Sequence, residues 1–409
     1  MSNNQKAFPK SVQPGIPKLS ELKLGWKQYH IGELFTEIKR PANIKDNKKY
    51  QLVTVKRSRG GLVPRSELFG RDIAVKSQYH IRSGDFLISK RQIVHGACAI
   101  VTDEFDGAIV SNEYSVLRCK DNLHLEYLAQ LFHSIYIQQT FFHSSIGIHI
   151  EKMVFKLPDW FKWPVNLPSL SEQQNKAAFL TAVDSKIEQL SKKKALLEQY
   201  KKGMMQKLFS QELRFKDEQG NEFPDWEEKR LGEVAKIIGG GTPETGNPDY
   251  WGGNIQWFTP TEIKQKYLSS SKRTITEDGL KNSSAKKLPI GTLLLSTRAT
   301  VGDVGISIKE CSTNQGFQSL VVKESNVNEY WYYWIKQNKT VLLRRSSGST
   351  FMEISKSEVS KIKVLKPHHS EQQKIATFLS SIDKKITLIT TELNHAQSFK
   401  KALLQQMFV

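Results

Sequence analysis

The 409-residue chain has few cysteines, no long apolar run and a shortage of acidic side chains. Its cysteines, Cys98, Cys119 and Cys311, are scattered, so they predict neither a disulfide framework nor a zinc cluster and favour a reducing compartment. No apolar segment approaches the roughly 20 residues of a membrane-spanning helix, and the polar N-terminus lacks the apolar core of a signal peptide. We therefore expect a cytoplasmic protein of two or three domains with no membrane partner.

Basic side chains outnumber acidic ones. Lysine and arginine total 60, aspartate and glutamate total 41, and the formal net charge is +19. Such an excess favours a polyanionic partner, of which double-stranded DNA is the commonest. The alternative is a solvated basic surface with no partner.

The chain repeats itself at an interval of about 200 residues. WKQYHIGELF begins at Trp26 and WEEKRLGEVA at Trp226, and both follow the pattern Trp-x4-aliphatic-Gly-Glu. SEQQNKAAFLTAVDSKI begins at Ser171 and SEQQKIATFLSSIDKKI at Ser370. The near-equal spacing predicts two copies of one module, a globular domain followed by a helix.

Each SEQQ segment opens a predicted long helix. Ser171 with Gln174, and Ser370 with Gln373, have the spacing of a capping box. A narrow apolar stripe follows, typical of a coiled-coil seam, and a lone helix would leave it half exposed. We expect the two helices to pack antiparallel with pseudo-twofold symmetry; the alternative is two helices docked separately on their own domains. The stripe contains Leu180, Val183, Ile187, Leu190, Leu197, Met204 and Leu208 in the first copy, and Leu379, Ile382, Ile386, Ile389, Leu393, Ala396, Leu403 and Met407 in the second.

The globular parts read as mixed α/β (α+β) domains, although the pattern does not predict the order of their strands. Short apolar or alternating runs such as YQLVTV, GDFLISK and FQSLVVK predict strands. LEYLAQLFHSIYIQQTFF and NEYWYYWIKQNKTVLLRR have helical spacing. The expected segments are a tail and opening segment at 1–24, a first domain at 25–166, a first long helix at 167–210, a second domain at 211–366 and a second long helix at 367–409.

This ordered set of motifs resembles the specificity subunit of type I restriction–modification systems. The resemblance is carried by the two Trp-x4-aliphatic-Gly-Glu motifs, the two SEQQ helices, GGGTPETGNPDYWGGNIQWFTPTEI, STRATVG and SSGSTFMEIS, and it covers the chain from about Pro17 to Phe408. It implies two target recognition domains, each reading one half of a split, asymmetric DNA target, separated by the two long helices. It also implies a non-catalytic chain that docks two methyltransferase subunits and, through them, restriction subunits. S-adenosylmethionine, ATP and Mg²⁺ would then belong to those partners, and this chain would carry no cofactor or metal.

Gly239–Gly253, GGGTPETGNPDYWGG, looks at first like part of an adenine methyltransferase, with a glycine loop and an Asn-Pro-Pro-Tyr-like turn. The two features lie too close together to leave room for a strand or helix between them, and Asp249 replaces the second proline. We interpret the stretch as a loop whose side chains reach base edges, sugars or phosphates. The alternative is a strand connection with Trp251 in the core. The predicted DNA-binding residues of this loop are Thr242, Asn247, Tyr250 and Trp251.

Basic clusters at predicted turns supply the other candidate DNA contacts. Arginine at a loop tip suits bidentate contact with guanine, and lysine suits phosphates. Besides the specificity subunit, two functions stay open, a self-contained adenine DNA methyltransferase and a stand-alone sequence-specific DNA-binding protein. The predicted contacts are Lys56, Arg57 and Arg59 in VKRSRGG, Lys90 and Arg91 in SKRQIVHG, Arg298 in STRATVG, and Arg344 and Arg345 in LLRRSSGST.

Overall fold

The computed structural model describes residues 8–298, 300–346 and 353–408, which fall into two units. Unit 1 comprises Met1–Ser191 and Glu392–Val409, and unit 2 comprises Lys192–Thr391. Each unit therefore contains one globular domain and a part of each long helix. The units group residues that pack together, whereas the five expected segments divide the chain in order. The units therefore do not test the expected segment boundaries, which stay predictions.

The described residues of unit 1 form thirteen strands and four short helices before the first long helix. The helices are α1 (Ile31–Leu34), α2 (Leu125–Leu131), α3 (Ile135–His143) and α4 (Leu157–Trp160), and the long helix is α5 (Leu170–Phe209). The strands are β1 (Lys27–His30), β2 (Phe35–Glu37), β3 (Pro41–Ala42), β4 (Lys49–Val55), β5 (Leu62–Phe69), β6 (Gln78–His80), β7 (Phe86–Ser89), β8 (Cys98–Ile100), β9 (Ile109–Ser111), β10 (Tyr114–Cys119), β11 (Ser145–Ile146), β12 (Val154–Phe155) and β13 (Pro164–Leu167).

Unit 2 follows the same order with fewer strands. Its helices are α6 (Leu231–Val234), α7 (Glu277–Lys281), α8 (Asn328–Gln337), α9 (Lys339–Arg344) and α10 (Lys356–Ser360), and the second long helix is α11 (His369–Phe408). Its strands are β14 (Glu227–Arg230), β15 (Ala235–Gly239), β16 (Trp251–Phe258), β17 (Tyr267–Leu268), β18 (Arg273–Ile275), β19 (Leu293–Leu295), β20 (Val304–Ser307), β21 (Cys311–Thr313), β22 (Gln318–Val322) and β23 (Lys363–Lys366).

Each globular domain is closed by pairing its first strand with its last. β1 runs antiparallel to β13, with Lys27 opposite Leu167, and β14 runs antiparallel to β23, with Glu227 opposite Lys366. The repeated Trp-x4-aliphatic-Gly-Glu motif spans this first strand and the four-residue helix after it. The chain thus enters and leaves each domain at neighbouring points, and the motif marks that junction.

The glycine and the glutamate of the motif both have structural roles. A Cβ at Gly32 would lie 3.0 Å from Cβ of Phe161, so the close approach of the two segments favours glycine. Glu33 Oε2 accepts a hydrogen bond from the backbone N–H of His30 at 2.5 Å, which satisfies a donor at the start of α1. Unit 2 has the equivalent contacts at its own junction.

One sheet has the same strand order in both units. It is β2-β10-β7-β8 in unit 1 and β15-β22-β19-β20 in unit 2, where β17 is added in parallel beside β20. The shared neighbours all pair antiparallel. β7 and β19 are buried along their whole length, which explains their continuous apolar sequence. We call these four shared strands the scaffold sheet.

The remaining large sheet differs between the units, and we call it the second sheet. In unit 1 it has five strands in the order β3-β6-β9-β4-β5, and β4 and β5 form a long hairpin. In unit 2 it has three strands, β18-β16-β21, and β16 shifts register against β18 between Trp251 and Ile255. The two domains are therefore mixed α/β domains, as the sequence predicts, with one common layer and one individual layer.

The helical run after the strands is broken in both units, although the sequence predicts one helix. In unit 1 it forms α2 and α3, because Ser134 Oγ accepts a hydrogen bond from Ile137 N–H and begins a new helix. In unit 2 it forms α8 and α9 with the break at Asn338. Residues Tyr330–Ile335 of α8 are all buried, in a core that also includes β19, β20 and part of α11.

The two long helices contain 40 residues each, close to the predicted length, but the predicted capping boxes are wrong. α5 begins at Leu170, and Ser169 Oγ accepts the hydrogen bond from Glu172 N–H at 3.3 Å. Ser171 consequently lies inside α5, and Ser370 lies inside α11. Both helices start upstream of the serine because the residue two positions earlier caps them, Ser169 in α5 and His368 in α11, whose Nδ1 accepts a hydrogen bond from Ser370 N–H at 3.3 Å. A buried glutamine also fixes each first turn to the globular domain.

That glutamine is the second residue after the serine in each SEQQ motif. Gln173 Oε1 accepts a hydrogen bond from His124 N–H at 2.9 Å, and Gln173 Nε2 donates to Asn122 O at 3.0 Å. Gln372 repeats this arrangement, with Oε1 accepting from Val327 N–H at 3.0 Å. Both glutamines are buried, so each motif joins a long helix to the helix that follows its strands.

The same ion pair joins the long helices in each unit. Lys400 Nζ lies 2.5 Å from Asp184 Oδ1 in unit 1, and Lys201 Nζ lies 2.5 Å from Asp383 Oδ1 in unit 2. The two aspartates occupy equivalent positions of the repeat, and so do the two lysines. The helices therefore run antiparallel, and each unit repeats the same pairing, which confirms the predicted antiparallel packing. The seam residues of both helices are buried or half-buried.

Candidate nucleic-acid interface

The hairpin turn between β4 and β5 carries Lys56, Arg57 and Arg59. Lys56 and Arg57 are exposed, whereas Arg59 is half-buried with a φ of +58°, in the left-handed region that costs a non-glycine residue about 1 kcal/mol. Its backbone N–H donates to Gly96 O at 2.8 Å, and burial lowers the pKa of its guanidinium. Arg59 thus anchors the hairpin to the turn after β7, and Lys56 and Arg57 form the outer part.

The turn between β7 and β8 brings the other predicted residues of unit 1 to the same place. Lys90 Nζ donates to a backbone carbonyl in the turn before β10 at 2.7 Å, and Arg91 Nε lies 2.5 Å from Glu113 Oε2. Arg57 Nε reaches across and donates to Gln92 Oε1 at 2.8 Å. Three of the predicted cations therefore surround one turn, which we call the arginine turn of unit 1.

A glutamate from the loop after α3 faces this turn. Glu151 Oε2 lies 2.7 Å from Arg57 Nη2, and both side chains are about half exposed. The hydrogen bond from Arg57 lowers the pKa of Glu151, and the buried His95 places Nε2 3.1 Å from the other carboxylate oxygen. The carboxylate compensates the guanidinium, so the arginine is held in one orientation before any anion arrives.

Unit 2 has an equivalent arginine turn between β19 and β20. Arg298 is exposed there, and its Nη2 lies 2.8 Å from Glu353 Oε1. Glu353 belongs to the loop after α9, so its place in the fold matches that of Glu151. Ile354 N–H in the same loop donates to Thr297 O at 3.3 Å. In unit 2 the paired arginine therefore follows a strand of the scaffold sheet, whereas in unit 1 the arginine paired with the corresponding loop comes from the β4–β5 hairpin of the second sheet.

Arg344 and Arg345 lie at the end of α9. Both are exposed, and Arg345 Nη1 lies 3.3 Å from Glu358 Oε2. Residues 347–352, which contain most of the Ser/Gly segment that follows them, lie outside the described residues. The relation between the two arginines and that segment stays a prediction.

Two glycines of Gly239–Gly253, Gly240 and Gly241, serve close packing. A Cβ at Gly240 would lie 2.0 Å from Asn314 O, and one at Gly241 would lie 2.3 Å from Ser284 Oγ. These contacts leave no room beside the glycines for a nucleoside. The segment is a connection between β15 and β16 that packs on the rest of unit 2.

The Asn-Pro-Asp-Tyr turn is also occupied by local contacts. Asn247 Oδ1 accepts a hydrogen bond from Asp249 N–H at 3.0 Å, and Thr276 Oγ1 donates to Asp249 O at 2.8 Å. A methyltransferase turn has to leave such acceptors free for the amine of a flipped base. The geometry therefore does not support the methyltransferase alternative.

The loop residues that the sequence singles out are less exposed than predicted. Thr242, Asn247, Tyr250 and Trp251 are all half-buried. Thr242 Oγ1 donates to Gln315 Oε1 at 2.6 Å. The 3₁₀ turn at residues 248–250 folds this loop back onto the domain, which limits how much of each side chain faces solvent.

Trp251 acquires a partner that sequence reasoning missed. Its ring packs edge-to-face on Trp257, with centroids 5.1 Å apart, and the guanidinium of Arg273 lies over it, with Cζ 3.4 Å from the ring centroid. Arg273 is exposed on the neighbouring strand β18. An arginine stacked on an aromatic ring suits contact with bases or phosphates. Only the pairing of β16 with β18 brings these residues together, so no local pattern signals them.

A second basic cluster of unit 1 was also missed, and we call it the lysine end. It lies at the end of the β4–β5 hairpin opposite the arginine turn. Lys49 Nζ and Arg71 Cζ lie 5.3 and 5.1 Å from the ring centroid of Phe69, and the exposed Lys45 and Lys48 occupy the turn before β4. The lysine-rich segment IKDNKKY was the signal available in the sequence.

Other kinds of site receive no support from the described part of the chain. It contains no group of three or more His, Cys, Asp or Glu side chains able to hold a metal ion. The three cysteines are free, and burial raises the pKa of each thiol to about 12. Within residues 8–298, 300–346 and 353–408, no helix has the length and apolarity needed to cross a bilayer.

Comparison with known proteins gives consistent results. The family model described as type I restriction modification DNA specificity domain matches twice, at residues 23–199 and 224–397. The MjaIX specificity subunit of Methanocaldococcus jannaschii is 40% identical over 182 residues, 43% of this chain and 42% of that protein. The MjaX specificity subunit of the same organism, a putative one, is 28% identical over 249 residues, 59% of this chain and 57% of that protein. The alignments thus span less than two thirds of either relative.

The fold is similar to that of a solved subunit. The crystal structure of the HsdS subunit from Thermoanaerobacter tengcongensis matches with a TM-score of 0.55 and 20% identity, covering 95% of this chain and 98% of that one. The two family matches together span most of the chain, and each includes one domain with its opening motif. The chain therefore belongs to the type I restriction modification DNA specificity domain family.

Proposed function

We propose that this chain reads a bipartite, asymmetric sequence in double-stranded DNA, with one half-site recognised by each unit. The observation that carries the proposal is the combination of a common scaffold sheet with a different second sheet in each unit. A common scaffold presents an arginine turn at the same place twice, whereas different second sheets give each domain its own contact surface. Different surfaces favour different half-sites and hence an asymmetric target.

In unit 1 the arginine turn is the better candidate for reading bases and the lysine end for binding phosphates. β5 has 8 residues, which at 3.4 Å per residue separate the two ends of the hairpin by about 27 Å. This distance corresponds to about 8 base pairs along DNA, so both ends cannot contact the same few bases. Arginines suit base edges and a run of lysines suits the backbone, which supports this division.

The long helices are proposed to dock two methyltransferase subunits, and restriction subunits through them. The support is the repeated pattern of Asp184 with Lys400 and Asp383 with Lys201, which gives the two units equivalent helix pairs. A specificity subunit is not itself an enzyme, so S-adenosylmethionine, ATP and Mg²⁺ would be bound by these partners. We further propose that the complex works in the cytoplasm, where the chromosome is.

Co-expression with the cognate methyltransferase subunit tests the proposal. We expect the two proteins to co-purify, and genomic DNA of the cells to carry methylated adenine at one split, asymmetric motif only when both are present. A chain that binds its target tightly alone and retains no methyltransferase would instead be a stand-alone DNA-binding protein. Methylation by the isolated chain would restore the methyltransferase alternative.

A further inference from the structure

Unit 2 contains a cavity of about 740 Å³ between the globular domain and its long-helix segments. The segment Lys264–Tyr267 forms one wall, α8 contributes Tyr332 and Lys336, and α11 contributes Lys384 and Leu388. A cavity of this size is within the range of ligand-binding sites. None of the predicted DNA-binding residues lines it, so the proposed DNA contacts leave it unexplained. We call it the lysine pocket.

The pocket has an uncompensated positive charge. Lys264, Lys266, Lys336 and Lys384 have no carboxylate within ion-pair distance among the described residues. Among the residues that the structure describes, Asp383 is the one acidic side chain of the wall, and it is already paired with Lys201 and accepts a hydrogen bond from the Tyr333 hydroxyl. An acidic ligand would therefore meet four lysines and no free carboxylate of the wall.

Lys266 is the most enclosed of these cations. Its Nζ donates to Tyr333 Oη at 3.1 Å and to Ser380 Oγ at 2.8 Å, and it lies 4.6 Å from the ring centroid of Tyr333. An ammonium group has three donors, so one remains for a ligand. Burial lowers the pKa of Lys266, because it makes the charged form less favourable. An anionic partner would offset that cost.

The rim of the pocket is apolar and points to a polypeptide rather than a small ion. Leu388 is 64% exposed and Tyr267 is 43% exposed, and both lie at the rim. A second depression of about 610 Å³ shares three residues of the pocket wall and adds Lys202 and the carboxylate of Glu198. A single small ligand cannot fill both depressions, whereas an extended segment with an apolar side chain and several carboxylates can.

The repeat shows that these features are individual to unit 2. The positions equivalent to Tyr332, Lys336, Lys384 and Leu388 hold smaller, neutral or polar residues in unit 1. One of these unit 1 residues is His133. Burial lowers its pKa to about 4, so its side chain is uncharged at neutral pH. Partners that dock equally on both units cannot use the lysine pocket twice. The corresponding residues of unit 1 are Ala129, His133, Ser185 and Gln189.

We propose that the lysine pocket anchors an acidic segment with an apolar tip from one methyltransferase subunit, so that the two units offer unequal partner sites. This inference rests on the proposed function, because it takes the methyltransferase as the partner. Its consequence is ordered assembly: the subunit on unit 2 binds more tightly, and the subunit on unit 1 follows.

The test titrates the full chain with purified cognate methyltransferase subunit and follows the 1:1 and 1:2 complexes by native mass spectrometry. The variant Lys384→Ser with Leu388→Gln introduces the residues of unit 1 at two exposed positions. The matched control, Lys309→Ser with Leu365→Gln, makes the same changes at exposed positions of unit 2 outside the pocket and outside the long helices. We expect the pocket variant to weaken the tighter of the two binding steps by about ten-fold, while the control leaves both steps unchanged.

Each result has a distinct meaning. Loss confined to the tighter step supports the proposal, and loss confined to the weaker step overturns it. Two unchanged steps, or equal weakening of both, overturn it while leaving the proposed function intact. A fall in DNA affinity of the pocket variant without methyltransferase would make the pocket a DNA surface and would overturn it as well. A wild-type chain that binds no methyltransferase would remove the proposed function itself.

Discussion

The two units share one sheet and differ in the other, and this contrast separates support from recognition. The scaffold sheet keeps its strand order in unit 1 and unit 2, while the second sheet has five strands in one and three in the other. Arg91 in unit 1 and Arg298 in unit 2 lie in the turns that follow the equivalent scaffold strands β7 and β19, whereas Arg57 reaches the turn of unit 1 from the hairpin of the second sheet. An arginine at this turn can thus keep its position in the domain while the strands of the second sheet around it differ.

A second contrast lies at the start of the long helices, where equivalent glutamates are partly exposed in unit 1 and buried in unit 2. Glu172 is partly exposed and pairs with Lys176 at 2.7 Å. At the equivalent position Glu371 is fully buried, with Arg214 Nη2 at 2.8 Å and Trp226 Nε1 donating at 3.0 Å. The repeated SEQQ motif therefore fixes the helix in both units, but only unit 2 adds a buried ion pair to the junction.

Exchange of one domain has the largest expected effect. Replacing residues Trp226–Lys366 with the same segment of a relative should change one half of the recognised sequence completely and leave the other half intact. The physical reason is that β14 and β23 close the segment on itself at the junction. Mapping methylated adenines in genomic DNA would measure it. A changed sequence in both halves would contradict two independent reading domains.

Of the two equivalent glutamates, the buried Glu371 should contribute more to the free energy of unfolding. Glu371→Ala leaves Arg214 without its partner inside unit 2, and removing one member of a buried ion pair costs about 3–5 kcal/mol. Glu172→Ala, the matched control, removes an exposed pair worth less than about 1 kcal/mol. Urea unfolding followed by tryptophan fluorescence would compare them. Equal destabilisation by both substitutions would mean that the two junctions do not differ.

Local patterns in the sequence predict the repeated parts of this fold well. The seam of the long helices and the two SEQQ motifs recur with constant spacing, and such signals need no knowledge of the tertiary structure. The capping boxes fail because Ser169 and His368 cap the helices two residues earlier, and the sequence alone does not decide between two neighbouring capping residues.

The candidate interface is predictable only in part, because ion pairing and stacking join residues far apart in the chain. The positions of Arg57 and Arg298 at turns follow from the sequence, but their partners Glu151 and Glu353 come from loops after a later helix. Arg273 reaches Trp251 only through the pairing of β18 with β16. No spacing rule connects such residues.

Removing the arginines should weaken DNA binding by an intermediate amount. Arg57→Ala and Arg298→Ala should each cost about 1–3 kcal/mol if the arginine contacts a base, and should reduce the salt slope by about one if it contacts a phosphate. Arg82→Ala is the matched control, since Arg82 is exposed and lies 3.4 Å from Asp106 in a turn away from the arginine turns. Binding of target DNA by the assembled complex, measured at several salt concentrations, would separate these outcomes. Unchanged affinity and salt slope in both variants would show that the reading surface lies elsewhere.

The smallest expected effect is an increase. In both units a glutamate neutralises the arginine and repels phosphates nearby, so Glu353→Gln and Glu151→Gln should raise affinity for non-specific DNA by about two- to five-fold at low salt. Affinity for the target should rise less, because the released guanidinium is no longer held in one orientation. Asp106→Asn, which releases Arg82 in the same way, serves as the control and should change neither affinity. Fluorescence anisotropy with target and scrambled duplexes would measure the ratio of the two affinities. A ratio that stays constant in both glutamate variants would mean that these carboxylates only support the loops and take no part in discrimination.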